Sequence, residues 1–143
     1  MKEVRASVEI NAPASRVWKI LTYFPSYREW NPFVRWIKGK PKKGERIQVR
    51  VQPSGYRGMA FNATISKAEK NKELRWIGHL FIPGLIDGEH VFQIMAINKR
   101  KVKFIQSEVF TGLLSPLLKL KMYDKTILGF NEMNLALKNL AER

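Results

Sequence analysis

The sequence predicts an α+β fold in which a curved antiparallel sheet grips one long helix at the carboxyl terminus. Three observations predict it: short segments in which apolar and polar residues alternate, turn-forming residues between those segments, and a final proline-free stretch with apolar residues at helical spacing. Strands joined by short turns favour an antiparallel meander, with the helices packed on one face of the sheet.

The stretch 115–143 is the longest helix that the sequence predicts. Ser115 can cap it and Pro116 suits the first helical position. The face turned toward the sheet is expected to consist of Leu118, Met122, Tyr123, Thr126, Ile127, Phe130, Met133, Leu137 and Leu140. The opposite, polar face is expected to consist of Lys121, Asp124, Lys125, Glu132, Asn139 and Glu142. Gly129 costs about 1 kcal/mol inside a helix, so it marks either a bend or a close backbone approach.

The elements before this helix follow from alternation, helical spacing and prolines. The segment 2–10 alternates as a half-buried strand, and a helix is expected from Pro13 through Phe24. Ser26 can cap a second, very short helix over 27–30, which Asn31 and Pro32 end. The remaining strands are expected over 33–38, 47–52, 59–66, 74–81, 86–97 and 102–111.

Composition limits the kinds of function that the chain can carry. Its 143 residues, 45% of them hydrophobic, predict a single globular domain over 1–143. With no cysteine and two histidines, disulfides, thiolate chemistry and a histidine-rich metal site are excluded, and no cofactor is expected. No apolar run is long enough to span a membrane, and the alternating start leaves no room for a signal peptide, so we expect a cytoplasmic protein.

The net charge of +14 makes this a basic protein that can attract anionic partners. Its cations cluster in two predicted turns, one with Lys38, Lys40, Lys42, Lys43 and Arg46, the other with Lys99, Arg100, Lys101 and Lys103. No nucleic-acid motif accompanies them, so nucleic acid is not the expected partner. Solvated loop tips that keep a sheet protein soluble explain them best, and contact with an anionic membrane surface is the alternative.

Several sequence stretches resemble the START-like (SRPBCC) superfamily, and within it the polyketide cyclase/dehydrase branch. They are VEINAPASRVWKILTYFPSYREWNPFV, LRWIG, DGEHVFQI and SEVFTGLLSPLL, in the order of the family and across essentially the whole chain. The resemblance implies the helix-grip fold: a seven-stranded antiparallel sheet around the C-terminal helix, two short helices after the first strand, and a cavity between sheet and helix. It also implies a hydrophobic ligand such as a lipid, sterol, quinone or polyketide, with catalysis in only some members.

A strongly curved sheet cannot close fully onto one helix, so alternate strand residues and the helix face should line a gap. The lining candidates are Val49, Met59, Phe61, Ala63, Trp76, Phe104, Gln106, Glu108, Tyr123, Ile127 and Phe130, together with His90 and Phe92 if the strand register turns those two inward. For each of them ordinary core packing is the competing interpretation.

Glu108 is the polar residue of greatest interest, because alternation points its carboxylate toward the apolar side of its strand. An odd number of residues in the loop after Ile97 places His90 opposite Glu108, whereas an even number places Val91 there. The family pattern around EHVF favours Phe92 inside, and therefore the odd loop. A His–Glu pair is a candidate acid/base or ligand-orienting element, or else a satisfied polar pair that closes the cavity.

The acidic cluster around His90 is not expected to bind a metal, since neighbouring residues on a strand point to opposite sides. Two functional hypotheses remain. The leading one is non-catalytic binding or carriage of a hydrophobic small molecule. The alternative is a cyclase, aromatase or dehydratase that uses His90 and Glu108. Oligomeric state stays open.

Overall fold

A computed structural model of the chain describes residues 2–80, 82–117 and 120–143. Within these residues, seven strands, three α-helices and two short 3₁₀ turns follow one another. In chain order they are β1 (Lys2–Ile10), α1 (Ala14–Thr22), a 3₁₀ turn (Phe24–Ser26), α2 (Tyr27–Trp30), β2 (Val34–Lys38), β3 (Arg46–Val51), β4 (Met59–Glu69), β5 (Glu73–Leu80), β6 (Ile86–Asn98), β7 (Lys101–Thr111), a second 3₁₀ turn (Ser115–Leu117) and α3 (Leu120–Ala141).

The strands form one sheet in the order β1-β7-β6-β5-β4-β3-β2, with every neighbouring pair antiparallel. The sheet curls into a half-barrel around α3, and the two short helices follow β1. The predicted α+β helix-grip fold is therefore confirmed. The strand predicted over 74–81 ends at position 81, which lies outside the described residues.

Alternation explains which side of each strand is buried. Val4 and Ile10 of β1, and Ile47 and Val49 of β3, are buried on the inner face, while the polar residues between them point outward. Burying such a side chain contributes about 1.5–3 kcal/mol, so a shift of register by one residue would be costly.

The hairpin between β6 and β7 sets the register of the candidate polar residues. Asn98 pairs with Lys101 across a two-residue turn, but the next pair is Ala96 with Val102, so Ile97 is a bulge. Without the bulge Val91 would oppose Glu108. The extra residue restores the odd spacing and places His90 opposite Glu108, as predicted.

The buried face of α3 is narrower than predicted and is rotated. Its buried residues are Tyr123, Gly129, Phe130, Met133, Asn134, Leu137 and Ala141. Ile127 is 38% exposed, so its predicted place on the buried face is wrong. The rotation has the opposite effect on Lys125, which was assigned to the solvent face but is half-buried. Leu118 lies outside the described residues.

Two predicted helix caps are wrong. The Ser115 hydroxyl donates to the carbonyl of Gly112 (2.9 Å) inside a 3₁₀ turn. The Ser26 side chain makes no cap bond, and its hydroxyl donates to the carbonyl of Tyr23 instead. Both hydroxyls stabilise the turn that precedes the helix, which is a common alternative use of serine.

Gly129 marks a close approach, one of its two predicted roles. A β-carbon at this position would overlap the ring of Phe33, which lies just before β2. That ring also packs edge-on against Phe130, with 5.8 Å between the ring centroids. The missing side chain lets α3 and the start of β2, an edge strand, come together.

Candidate ligand-binding cavity

A cavity of about 450 Å³ lies between the inner face of the sheet and the first half of α3. It extends from the exposed residues Arg57 and Met59 inward to the buried His90. Most of its wall is apolar, as is typical of small-molecule sites. The wall consists of Phe33, Val51, Pro53, Arg57, Gly58, Met59, Phe61, Gly78, Ile86, Gly88, His90, Glu108, Phe110, Met122, Lys125 and Thr126.

Two glycines create a depression in the floor of the cavity. Gly78 of β5 and Gly88 of β6 lie opposite each other on the inner face. A β-carbon at Gly78 would come within 2.7 Å of the Phe61 ring, and one at Gly88 would overlap the Glu108 carboxylate. Glycine inside a strand commonly marks such a close approach. Here the two glycines let Phe61 and Glu108 fold flat across the sheet.

The helix contributes a second stripe, distinct from its core face. Met122, Lys125 and Thr126 line the cavity, and Gly129 continues the i, i+3, i+4, i+7 spacing along the same side. Ile127 lies about 100° around the helix from Thr126, which explains why it turns toward solvent.

His90 and Glu108 form a polar pair at the inner end of the cavity. Nδ1 of His90 lies 3.3 Å from Oε2 of Glu108. The imidazole is almost fully buried, whereas 17% of the Glu108 side chain is exposed toward the cavity. A protonated imidazole in this position forms an ion pair with the carboxylate.

Two further polar side chains hold the other side of the imidazole. Nε2 of His90 lies 2.8 Å from Oε1 of Gln106, and Nε2 of Gln106 donates to Oδ1 of Asn134 (2.8 Å). With the amides oriented in this way, Nε2 of His90 carries a proton and donates it. Gln106 and Asn134 are both buried, so a continuous polar chain connects the cavity to α3. Nδ2 of Asn134 is buried without a hydrogen-bond partner among the described residues.

Aromatic rings fix the plane of the imidazole. The Phe92 ring stacks on it at 4.4 Å between centroids, and the rings of Phe130 and Trp76 lie at 5.0 and 5.1 Å. These contacts, together with the two polar ones, leave His90 little freedom to rotate. The arrangement presents this polar pair at the inner end of a cavity whose wall is mostly apolar.

The structure brings four of the predicted lining residues to the cavity wall: Met59, Phe61, His90 and Glu108. Eight others are buried in the core and do not line it: Val49, Ala63, Trp76, Phe92, Phe104, Gln106, Tyr123 and Phe130. Ile127 is exposed and does not line it either. Alternation identifies the inner face of the sheet correctly, but the sheet packs directly on α3 along much of its length. A role for any of these residues in binding stays a prediction.

Several wall residues were missed by the sequence reasoning. Val51, Gly88 and Phe110 share the inner-face parity of residues that were identified, so the signal was present. Pro53, Arg57 and Gly58 belong to the loop between β3 and β4, and loop position carries no periodic signal. Their contribution depends on how this loop folds against the first half and the middle of α3.

Contacts with α3 hold this loop, residues 52–58, at the mouth of the cavity. The backbone N–H and the hydroxyl of Ser54 both donate to the Glu132 carboxylate. The ammonium of Lys125 lies over the ring of Tyr56, 4.4 Å from its centroid. These contacts fix one wall of the mouth.

The two lysine-rich turns lie at the opposite end of the sheet. In β6 the cavity wall extends no further than His90, whereas the β6–β7 turn begins after Asn98. Eight residues of strand span roughly 26 Å. The turn between β2 and β3 is at that same far end, because the cavity lies beside Phe33 and Val51. The basic turns therefore do not border the cavity mouth.

The acidic residues next to His90 point to other partners. Nδ1 of His79 hydrogen-bonds Asp87 (2.7 Å), and this bond, with one from the backbone of Gly84, lowers the pKa of Asp87. Glu89 pairs with Arg75 at 3.1 Å. Within the described ranges, no three histidine or acidic side chains come together as metal ligands.

A larger groove of about 760 Å³ lies on the outside, between α1, α2 and the end of α3. Arg16 spans it, because its Nε donates to the carbonyl of Ala141 (2.6 Å) at the end of α3. We assign this groove to helix packing and not to ligand binding.

Among the helices that the structure describes, none is both long and apolar enough to span a bilayer.

Comparison with known families agrees with this geometry. A family model described as polyketide cyclase/dehydrase and lipid transport matches residues 1–98. The chain belongs to this family. The predicted resemblance to the polyketide cyclase/dehydrase branch is thereby confirmed.

Solved structures share the fold at low sequence identity. A START superfamily protein from Mycobacterium smegmatis is 16% identical with a TM-score of 0.76, and covers 98% of this chain and 97% of its own. The ZhuI aromatase/cyclase from Streptomyces sp. R1128 is 14% identical with a TM-score of 0.75, covering 99% and 94%. A hypothetical protein from Helicobacter pylori is 14% identical with a TM-score of 0.78, covering 98% and 88%. No curated protein matches the chain by sequence.

Proposed function

We propose that this protein binds or carries a hydrophobic small molecule, such as a lipid, quinone, sterol or polyketide-like compound, in the cavity between the sheet and α3. The observation that carries the proposal is the 450 Å³ space with its mainly apolar wall. Removing apolar surface from water contributes about 25 cal/mol per Å², so burial of an apolar ligand in this space favours binding. Membership of a family described as polyketide cyclase/dehydrase and lipid transport supports it.

A matched pair of helix variants tests this proposal. Thr126 lines the cavity, whereas the next residue, Ile127, does not. We expect Thr126→Phe to fill the space and weaken binding of the neutral apolar probe N-phenyl-1-naphthylamine at least tenfold, measured by fluorescence titration. Ile127→Phe adds a comparable ring on the solvent side and should leave binding unchanged. Thermal melts of both variants verify folding. Equal binding by both variants, or no binding by the wild type, contradicts the proposal.

A second candidate function is supported by one specific observation, the 3.3 Å contact between His90 and Glu108 beside the cavity. A buried imidazole held in one orientation beside a carboxylate can move a proton to or from a bound substrate. The corresponding activity is cyclisation, aromatisation or dehydration of a polyketide-like chain. It accords with the aromatase/cyclase from Streptomyces that shares the fold.

The enzymatic candidate is tested with a synthetic linear poly-β-carbonyl thioester. Glu108→Gln keeps the size of the side chain but removes its charge, so turnover should fall at least 100-fold while probe binding is retained. His90→Ala should abolish turnover as well. Unchanged turnover in Glu108→Gln excludes the assignment to this pair, and absence of turnover in the wild type counts against the enzymatic candidate.

A further inference from the structure

The cavity mouth carries two cations that form no ion pair within the described parts of the chain. Arg57 lies on the loop 52–58 and Lys125 on α3, and both border the cavity. The ion pairs of the described residues involve neither side chain. A cation beside an apolar cavity, with no carboxylate to neutralise it, favours an anion nearby.

Two carboxylates near this site are already engaged. Glu132 accepts both hydrogen bonds from Ser54, and Glu108 lies at the inner end of the cavity against His90. The charge of the cavity wall is therefore divided: cations at the entrance, and a histidine-paired carboxylate at the far end.

Contacts hold the Lys125 ammonium, and the loop that carries Arg57, in place before any ligand arrives. Lys125 is half-buried and its ammonium packs on the ring of Tyr56. Arg57 follows Tyr56 in a loop that Ser54 ties to Glu132 of α3. Side chains that are already restrained lose less conformational entropy when they bind a ligand.

We infer that the ligand is a hydrophobic acid, whose carboxylate or phosphate is bound by Arg57 and Lys125 at the mouth and whose apolar body lies in the cavity. This inference rests on the proposed binding function and names the ligand class for the same site. The guanidinium offers a planar fork that matches a carboxylate or phosphate, and the ammonium adds a point charge. The apolar body packs against Met59, Phe61 and Phe110.

Four probes that share one alkyl chain test the head group. Dodecanoate, dodecyl phosphate, dodecanol and dodecylammonium are titrated at neutral pH by calorimetry. Wild-type protein should bind the two anions at least tenfold more tightly than dodecanol, and should bind dodecylammonium weakest. The anion that binds more tightly shows whether the natural ligand is a carboxylic acid or a phosphate ester.

Charge-matched variants assign the preference to these two residues. Arg57→Gln combined with Lys125→Gln should reduce the ratio of anion affinity to dodecanol affinity to about threefold or less, and thermal melts verify folding. The control combines Lys70→Gln and Lys99→Gln, two exposed lysines on turns at the far end of the sheet. It removes the same net charge and should keep the full preference.

Each outcome separates this inference from the function on which it rests. Equal wild-type affinity for dodecanoate and dodecanol overturns the anionic head group and leaves the proposed binding function intact. Tightest binding of dodecylammonium overturns it as well, because Glu108 would then dominate. A preference that persists in the Arg57/Lys125 variant, or that is lost equally in the control, overturns the assignment to the mouth. Failure of all four probes to bind overturns the proposed function itself.

Discussion

Gly88 lies directly beneath the carboxylate of Glu108, so that a β-carbon at position 88 would occupy the space of Oε1. The two residues are on neighbouring strands, and Glu108 is paired with the residue two places further on, His90. The absence of a side chain at position 88 therefore determines where a charged group lies in the cavity. It explains how a carboxylate reaches His90 without leaving the sheet surface.

Gly88→Ala should displace Glu108 and destabilise the protein by about 1–3 kcal/mol, the usual cost of overpacking. Elsewhere in a strand the same change is favourable by about 0.5–1 kcal/mol, because glycine is the more flexible residue when unfolded. In a Glu108→Ala background the overlap is absent, so the substitution should become neutral or stabilising. Urea unfolding of the four proteins in this cycle measures the coupling. Stabilisation by Gly88→Ala in the wild-type background contradicts the geometry.

Gln106→Leu should cost about 2 kcal/mol or more in the free energy of unfolding. The substitution leaves Nε2 of His90 and Oδ1 of Asn134 buried without their partner, and each unsatisfied group costs about 1–3 kcal/mol. Adding Asn134→Leu should recover part of this loss, because one of the two orphaned groups is then removed.

Gln48→Leu, at an exposed position of β3, is the matched control and should change stability by less than about 0.5 kcal/mol. Urea denaturation supplies all of these values. Strictly additive effects of the substitutions at 106 and 134 would show that the two side chains are not coupled.

The sequence was sufficient for the architecture because each strand repeats the same two-residue alternation and errors fall only at element ends. It was less informative for α3, where Ile127 and Lys125 were exchanged between solvent and interior. The spacing of apolar residues alone does not predict which part of the helix surface the sheet covers. The neighbouring stripe of Met122, Thr126 and Gly129 was visible, but its meaning depends on the ring of Phe33, which is distant in sequence.

For the candidate site, the two-residue alternation predicted which strand residues lie on the inner face of the sheet. The pairing of His90 with Glu108 depends on the bulge at Ile97, and no residue preference in the sequence predicts a bulge there. The family pattern selected the correct one of the two registers. Residues such as Arg57 lie in a loop whose path is set by the contacts of Ser54 and Glu132, 78 positions apart. Contacts at that separation have no signature in local sequence.

Gly129→Ala should destabilise the protein although alanine is the better helix former. The gain in helix propensity is about 1 kcal/mol, whereas overlap with the buried ring of Phe33 costs about 1–3 kcal/mol. Asn139→Ala changes an exposed position of the same helix and should be slightly stabilising. Thermal and urea unfolding distinguish the signs, and an increase in stability for Gly129→Ala would exclude the close approach.

Glu73 should couple the stability of the sheet to pH. Burial of its side chain opposes ionisation, but hydrogen bonds from Arg75, Gln93 and Lys67 and the charge of Arg75 outweigh burial, so the pKa of Glu73 lies below its usual value of about 4.3. A carboxylate with a lowered pKa stabilises the fold above about pH 4.3, and this contribution is lost as the pH falls through the folded-state pKa.

Glu73→Gln should therefore be destabilising at neutral pH, and its difference from wild type should shrink toward acid pH. Urea unfolding at several values between about pH 7 and pH 3 gives this difference directly. Glu3→Gln, at an exposed position of β1, is the control and should stay within about 0.5 kcal/mol of wild type. The Glu73→Gln difference should also persist at moderate salt, because its partners contact a side chain that is only 10% exposed. A difference that stays constant from neutral to acid pH would mean that the Glu73 carboxylate is not stabilised by Arg75 and its other neighbours.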